Sequence, residues 1–236
     1  MAMLAMPEDW DRAIVVAAHP DDIEYGIASA VARWTGQGKQ VSYLLATRGE
    51  AGIAGMAPAE VAPLRVEEER RSAAVVGVTE VEFLDHVDGL VEYGIPLRRD
   101  LAAAFRRLRP DVVVTSSFDL TWGEEGPVNH ADHRAVGLAV LDACRDAMNE
   151  WVFPEAGAAI STIKDAYVMA SGEPTHFVDV TDTIDRGIAS LREHRAYIDG
   201  LGRDFDPDEF LRKMAGYVGL GAGVEYAVSM HRYPMG

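Results

Sequence analysis

The sequence predicts an α/β fold with a doubly wound, mostly parallel sheet, and two observations support it. Short apolar runs rich in β-branched residues recur in the first half of the chain, at residues 12–18, 41–46, 81–84 and 112–115. Helical spacing of apolar residues separates these runs. Strands that alternate with helices form βαβ units with right-handed crossovers, which build a parallel sheet. Because no linker divides the chain, we expect a single domain over residues 1–236.

The helices follow from the same periodicity. Residues 27–34 and 64–76 have helical spacing, and the run of Glu67, Glu68, Glu69, Arg70 and Arg71 is interpreted as the solvated face of the second helix. Pro96 fits the first turn of a helix that runs to about Leu108. We expect a core over residues 12–140 and a more variable part, residues 151–236, that shapes the substrate site.

The last third gives weaker signals. Residues 166–170 and 176–180 are typical of strands. Thr181 is the expected cap of a helix that reaches Tyr197, and Asp206 and Pro207 open a shorter one. The glycines of residues 219–223 lack the spacing of a dinucleotide fingerprint and are interpreted as a flexible turn.

The charge balance limits the partners. Lysine and arginine number 22 against 38 aspartates and glutamates, a formal net charge of −16. Such a chain is repelled by nucleic acid and by anionic membranes, so a neutral or cationic small molecule is the expected substrate. The single cysteine, Cys144, excludes a disulfide framework and indicates the cytoplasm. No apolar run approaches the ~20 residues of a membrane span, and a homo-oligomer remains open.

The most informative stretch follows the first predicted strand, where His19, Pro20, Asp21 and Asp22 come in succession. The carboxyl ends of strands are where ligands bind in open α/β sheets. Alone, this turn is more often a capped helix start, since aspartate is a good cap. A second pair, His130 and His133, lies three residues apart at the start of a predicted helix.

Together the two motifs predict a metal site. Two imidazoles and one carboxylate with an open fourth position are typical of catalytic zinc, although another divalent cation fits the same ligands. Zinc lowers the pKa of a bound water to about 7, which makes a nucleophile available at neutral pH. The remaining histidines, His86, His176 and His231, have no comparable neighbours and are interpreted as ordinary polar positions.

These residues resemble the PIG-L/LmbE-like deacetylase family. The resemblance covers about residues 12–140 and rests on five segments in the family's order, namely residues 18–26, 47–50, 73–78, 88–89 and 130–137. It implies a Rossmann-like (LmbE-like) fold and a zinc-dependent N-deacetylase or amidase that acts on N-acetylglucosamine-type groups of small glycoconjugates.

Carried over by position, the resemblance implies a role for each residue. The metal ligands are His19, Asp22 and His133, and Asp21 is the general base. The oxyanion is stabilised by His130, whose imidazole Asp132 orients. The substrate-binding candidates are Arg65, Arg48 and Glu50, the last two of which are equally suited to pair with each other or with water.

This chain departs from the family pattern at two places. Ala131 replaces a frequent proline, a change of small consequence at a first helical turn. Residues 194–197 read His-Arg-Ala-Tyr where family members often have His-x-Ser-Gln, so polar contacts from that helix are not predicted.

Three other functions were weighed. One is an amidase of the same chemistry that acts on a larger acyl group or a thiol conjugate. Another is a non-catalytic metal- or sugar-binding pseudoenzyme, which would have no need of Asp21 and His130. A nucleotide-binding protein is excluded because His19 and Asp21 stand where the phosphate-binding glycines belong.

Overall fold

The apolar runs form the centre of an eight-stranded sheet in a computed structural model that describes residues 2–123, 125–202 and 204–236. The strands, in chain order, are β1 (Leu4–Ala5), β2 (Arg12–Ala17), β3 (Gln40–Leu45), β4 (Glu80–Phe83), β5 (Val112–Ser116), β6 (Asp165–Met169), β7 (His176–Asp179) and β8 (Ala227–Pro234). Their order across the sheet is β1-β7-β8-β6-β5-β2-β3-β4.

Most strand pairs are parallel, which confirms the predicted fold class. The pairs β4–β3, β3–β2, β2–β5, β5–β6 and β1–β7 are parallel, whereas β8 runs antiparallel between β6 and β7. β8 was not predicted from the sequence. Its sequence follows a long helix and contains Met230, His231 and Arg232, so it lacks the β-branched run that marks the central strands.

Eight α-helices are found among the described residues. They are α1 (Asp22–Gly26), α2 (Ala28–Gly36), α3 (Pro58–Val75), α4 (Ile95–Leu108), α5 (Ala131–Ala147), α6 (Ile184–Leu191), α7 (Arg195–Gly200) and α8 (Pro207–Ala222). Within the described residues, no helix is both long and apolar enough to cross a membrane.

The helices cover both faces of the sheet because successive side chains of a buried strand point to opposite sides. In β2, Val15 and Ala17 pack in the cluster that contains residues of α2, α6 and α8. Ile14 and Val16 pack in the second cluster, with residues of α4 and α5. Both faces of the strand are therefore core, which explains its continuous apolar sequence.

The site lies where the strand order reverses. β2 has β3 on one side and β5 on the other, so the loops that leave β2 and β5 diverge to opposite faces and open a crevice at their carboxyl ends. Both metal-type motifs follow these two strands, and the topology therefore brings them together.

Two predictions for helices in the last third of the chain were wrong. The helix expected up to Tyr197 is two helices, α6 and α7, separated by residues 192–194. Thr181 does not cap α6, because its hydroxyl donates to Asp179 Oδ1 at 2.7 Å and the cap residue is Thr183. The break turns His194 into the protein, where it is fully buried.

The glycines of residues 219–223 end α8 instead of forming a flexible turn. A Cβ on Gly219 would lie 2.6 Å from the backbone oxygen of Glu225, so only glycine allows the chain to fold back this closely. Gly223 then caps the helix with a φ of 76°, in the left-handed region. The predicted start of this helix is confirmed, since Asp206 accepts a hydrogen bond from the backbone N–H of Asp208 at 2.9 Å.

Candidate metal centre and active site

The turn after β2 is tight and conformationally unusual. Asp21 has a φ of 93° and a ψ of −26°, in the left-handed region that few side chains adopt without cost. The next residue, Asp22, begins α1, and its Oδ2 accepts a hydrogen bond from the backbone N–H of His19 at 2.9 Å. The two adjacent aspartates are thereby directed to different surroundings.

The second motif is held by Asn129, a residue that the sequence analysis did not single out. Its amide donates to the backbone oxygens of Ser117 and Asp119, which leaves Oδ1 facing His133 Nδ1 at 2.9 Å. The neutral imidazole then carries its proton on Nδ1 and presents Nε2 as an acceptor. Asn129 lies four residues before His133, a spacing that places the two side chains on one face at a helix start.

The three predicted metal ligands meet at one point. His19 Nδ1 lies 3.2 Å from His133 Nε2, and Asp22 Oδ1 lies 3.0 Å from His133 Nε2. One donor atom from each of these residues falls within 4.8 Å of the other two. A carboxylate oxygen and two imidazole nitrogens that converge in this way are typical ligands of a divalent cation. The donor set and its spacing therefore fit a divalent metal.

A second layer of carboxylates holds His19. Its Nε2 lies 3.1 Å from Asp88 Oδ1 and 3.2 Å from Asp132 Oδ2, which leaves Nδ1 for the metal. Asp132 is fixed in turn by the backbone N–H groups of Gly89 and Val91, at 2.7 and 3.1 Å. The expectation that Asp132 orients His130 needs correction, because its hydrogen bonds orient His19 and the loop after β4.

The imidazoles and carboxylates shift one another's pKa values. Burial lowers the pKa of His19, but the hydrogen bond to Asp132, followed by those to Asp22 and Asp88, raises it to about 12. Burial raises the pKa of Asp22, yet His133 and His19 hold it well below its usual range. The surrounding carboxylates therefore stabilise positive charge at the point where the donor atoms converge.

Asp21 lies beside the metal ligands without joining them. Its side chain is 6% exposed, and Oδ1 lies 3.2 Å from Arg65 Nη2. The Arg65 guanidinium also donates to the backbone oxygen of Pro20 and lies over the ring of Tyr197, 4.2 Å from its centroid. Burial raises the pKa of Asp21 to about 6, against the lowering effect of Arg65. A carboxylate with this pKa can accept a proton near neutral pH.

His130 is the most accessible of the three clustered imidazoles. Its ring stacks on that of His133, with centroids 4.9 Å apart and an interplanar angle of 16°. Partial burial, followed by the neighbouring His133 and His19, lowers the pKa of His130. His130 lines the cavity described below, so its ring nitrogens can reach a bound ligand.

A family model described as PIG-L, GlcNAc-PI de-N-acetylase, matches residues 14–144, which is more than half of the chain and includes both motifs. The chain belongs to the PIG-L family. The resemblance noted in the sequence is thereby confirmed.

Two relatives can be aligned with this PIG-L family member over most of its length. A diacetylchitobiose deacetylase of Thermococcus kodakarensis is 28% identical over 235 residues, which cover 96% of this chain and 84% of the relative. A 1D-myo-inositol 2-acetamido-2-deoxy-alpha-D-glucopyranoside deacetylase of Kineococcus radiotolerans is 28% identical over 254 residues, with 79% of this chain and 69% of the relative covered.

The fold of this PIG-L protein is also found in a solved structure. The N,N'-diacetylchitobiose deacetylase of Pyrococcus horikoshii, in complex with its inhibitor MPG, superposes with a TM-score of 0.86 at 24% identity. The match covers 96% of this chain and 85% of that one. The two proteins share their architecture, including the C-terminal third where the sequence signals were weak.

A cavity of about 670 Å³ opens onto the metal-type residues of the PIG-L fold. Its polar and aromatic lining includes His19, Asp21, Asp22, Arg65, Asp88, His130, His133, Trp122 and Tyr197. Its lining also includes a mostly apolar set, namely Tyr25, Met169, Ile184, Phe210, Leu211, Met214, Ala215, Val218, Ala227 and Val228. A ligand that reaches the metal can therefore extend along an apolar wall.

The substrate-binding candidates occupy different places. Arg65 is 1% exposed and lines the cavity, where its contacts go to Pro20, Asp21 and Tyr197. Arg48 pairs with Asp85 at 2.8 Å. Glu50 accepts from the backbone N–H groups of Arg48 and Asp88, at 3.2 and 2.9 Å. From this loop the cavity wall includes Gly49, Ala51 and Gly52. Substrate contact by Arg48, Glu50 and Arg65 stays a prediction.

One interpretation of the charge run was wrong. Glu68 and Glu69 are buried, at 1% and 0% exposure, whereas Glu67 is exposed. Glu69 belongs to a second buried group of metal-type side chains, together with Glu24 and His194. The sequence signal was the helical spacing of Arg65 and Glu69, which places the two side chains on one face of α3.

Proposed function

We propose that this chain is a metal-dependent N-deacetylase that hydrolyses the acetamide of an amino-sugar-containing small molecule. One observation carries the proposal: a buried carboxylate, Asp21, lines the cavity beside three convergent donor groups and is not one of them. A purely metal-binding module has no need of this carboxylate, whereas hydrolysis by an activated water requires a base.

Zinc is the proposed metal, because two imidazole nitrogens and one carboxylate with an open position are the usual donors of catalytic zinc. His19, Asp22 and His133 would hold it. When bound, such a cation acts as a Lewis acid towards the amide carbonyl and lowers the pKa of a water molecule. The second-layer contacts of Asp88, Asp132 and Asn129 support this assignment, since metal-bound imidazoles commonly have a fixed partner on their other nitrogen.

The chain's own residues supply the proton transfers. Asp21 accepts a proton from the attacking water, and the water oxygen forms a bond to the carbonyl carbon. His130, on the cavity wall, donates a hydrogen bond to the oxygen that becomes negative. Asp21 then returns its proton to the amide nitrogen, the C–N bond breaks, and acetate and a free amine leave. The burial of Asp21 suits both steps, because its raised pKa lets it accept and return a proton.

The amino-sugar substrate is inferred from three facts. The named relatives are deacetylases of diacetylchitobiose and of an inositol-linked 2-acetamido sugar. The cavity, at about 670 Å³, has room for a small molecule of this size. The net charge of −16 disfavours nucleic acids and other polyanions as partners. We place the reaction in the cytoplasm, since Cys144 is free and buried.

A second candidate, the hydrolysis of a larger N-acyl group, is favoured by the apolar residues of the cavity lining. Met169, Phe210 and Met214 line the cavity and offer apolar contacts to a longer acyl chain. Comparing acetyl, butyryl and octanoyl groups on one glucosamine derivative separates the two functions. The deacetylase predicts the highest kcat/KM for acetyl, and the alternative predicts a rise with chain length.

Acetate release from N-acetylglucosamine and from N,N'-diacetylchitobiose tests the proposed function directly. We expect activity in the metal-loaded protein, loss after dialysis against a chelator, and recovery on addition of Zn²⁺. Activity that survives removal of the metal, or metal-loaded protein that releases acetate from neither sugar, would contradict the proposal.

A further inference from the structure

The general-base candidate has an unusual backbone, and the residues that hold it lie outside the metal ligands. Asp21 adopts a φ of 93°, which favours glycine over residues with a side chain. Such a conformation persists only where the surroundings over-determine it. The contacts of the backbone groups at residues 20 and 21 should therefore show what fixes the direction of the Asp21 carboxylate.

Two side chains of α3, Arg65 and Glu69, bind the backbone of residues 20 and 21. Arg65 donates to the backbone oxygen of Pro20 and pairs with Asp21 Oδ1. Glu69 Oε2 accepts a hydrogen bond from the backbone N–H of Asp21 at 3.3 Å. The peptide before Asp21 is thus held at both ends, its oxygen by a guanidinium and its N–H by a carboxylate.

Glu69 contacts a buried side chain from the C-terminal third of the chain. The side chain of His194 is fully buried, and its Nε2 lies 3.6 Å from Glu69 Oε2 and 3.5 Å from Glu24 Oε2. Ser72 donates to the other oxygen of Glu24 at 2.6 Å. Beside this group, Glu68 Oε1 accepts from the backbone N–H of Ala196 at 2.6 Å. Residues 194–196 therefore fix the carboxylate side of α3 although they lie far along the chain.

A buried carboxyl group that only filled space would be costly, because burying a polar group without a partner is unfavourable. Glu69 is 0% exposed, its Oε1 has no hydrogen-bond partner, and its Oε2 serves the Asp21 backbone. An apolar residue would pack there at lower cost. The presence of a glutamate at this position is explained if the backbone N–H of Asp21 needs a hydrogen-bond acceptor there.

We infer that Glu69, backed by His194, is a positioning residue that fixes the left-handed backbone of Asp21 and so aims the Asp21 carboxylate at the attacking water. It acts through Asp21 and touches neither metal nor substrate. The inference deepens the proposed function, since it rests on Asp21 as the base. It also gives α7 and the preceding turn a role in catalysis that the sequence of residues 194–197 did not predict.

A matched pair of substitutions tests this role. Glu69→Gln keeps the shape and an acceptor oxygen, whereas Glu69→Met keeps the volume and removes the acceptor. Glu67→Ala, an exposed position on the same helix, is the control. We expect Glu69→Met to lower kcat roughly 10²-fold with KM and metal content unchanged, because small misplacements of a catalytic group have effects of this size. Glu69→Gln should retain kcat within about threefold of the parent protein.

Crystal structures of the two variants give a readout that does not depend on activity. We expect the φ of residue 21 to remain positive in Glu69→Gln and to leave the left-handed region in Glu69→Met. An unchanged backbone and an unchanged kcat in Glu69→Met would overturn the inference. Equal losses in both variants would also overturn it, since loss of the acid group would then matter as much as loss of the acceptor. A second metal ion per chain that disappears in His194→Ala would identify the buried group as a cation site instead. If the parent protein releases no acetate, the proposed function fails, and the backbone of residue 21 still decides this inference.

Discussion

From the left-handed backbone of Asp21 we predict a difference in folding stability between two variants, and this difference does not depend on the reaction. Asp21→Gly and Asp21→Ala both remove the carboxylate and its ion pair with Arg65, so their difference isolates the backbone. A non-glycine residue in this region pays about 1–2 kcal/mol. Glycine pays about 0.5–1 kcal/mol for its larger freedom in the unfolded chain. The Asp21→Gly protein should therefore be more stable than the Asp21→Ala protein by roughly 0.5–1 kcal/mol, the difference between these estimates.

Thermal unfolding followed by circular dichroism measures this difference. In a domain of this size, 1 kcal/mol corresponds to about 2–4 °C in Tm, so the glycine variant should unfold about 1–4 °C above the alanine variant. Ala103→Gly in the middle of α4 is the control, because there glycine should lower stability by about 1 kcal/mol relative to alanine. An Asp21→Gly protein that unfolds below Asp21→Ala would refute the left-handed conformation as a property of the folded protein.

Three further predictions concern the surroundings of Asp21. Asp132→Asn should weaken metal binding about 10–100-fold in a competition titration with a chelator, because the imidazole that it orients, His19, is a proposed metal ligand. An unchanged affinity would show that Asp132 does not support the metal site. Trp122→Ala should raise KM for the amino sugar and change kcat little, because Trp122 lines the cavity beside the ring of His133. Trp151→Ala, at an exposed position, is the control and should change neither kcat nor KM. Arg65→Met should lower the free energy of unfolding by about 3–5 kcal/mol, because it leaves buried carboxylates without their cation. The exposed Arg71→Met on the same helix should cost at most about 1 kcal/mol in the same denaturation assay, and equal losses would contradict the account.

The central fold could be predicted because its strands are buried on both faces. Val112, Val113 and Val114 form a continuous β-branched run, and such runs are unambiguous when helices separate them. The two metal-type motifs could be predicted to meet because the carboxyl ends of neighbouring parallel strands share one edge of the sheet. For the strands and for the meeting of the two motifs, the local sequence pattern was therefore enough to predict the structure.

The rest of the site depends on contacts between distant parts of the chain. Spacing along α3 could not show that Glu68 and Glu69 are buried, because the element that covers them begins at His194, more than 120 residues later. A run of charged residues is usually a solvated helix face, and that expectation fails when a distant segment covers it with a buried imidazole and a backbone N–H donor. The partner of Asp132 was misjudged for the same reason, since His19 comes from another strand end.

The proposed mechanism depends most directly on Asp21 as the base beside a metal that it does not bind. The decisive measurement is the metal content and the kcat for acetate release of the Asp21→Asn protein, compared with the parent. The amide keeps the shape of the side chain and leaves His19, Asp22 and His133 untouched. We predict an unchanged metal content and a kcat lowered by about 10²–10⁴-fold, the usual contribution of a general base. Turnover at the parent rate with the metal in place would contradict the mechanism.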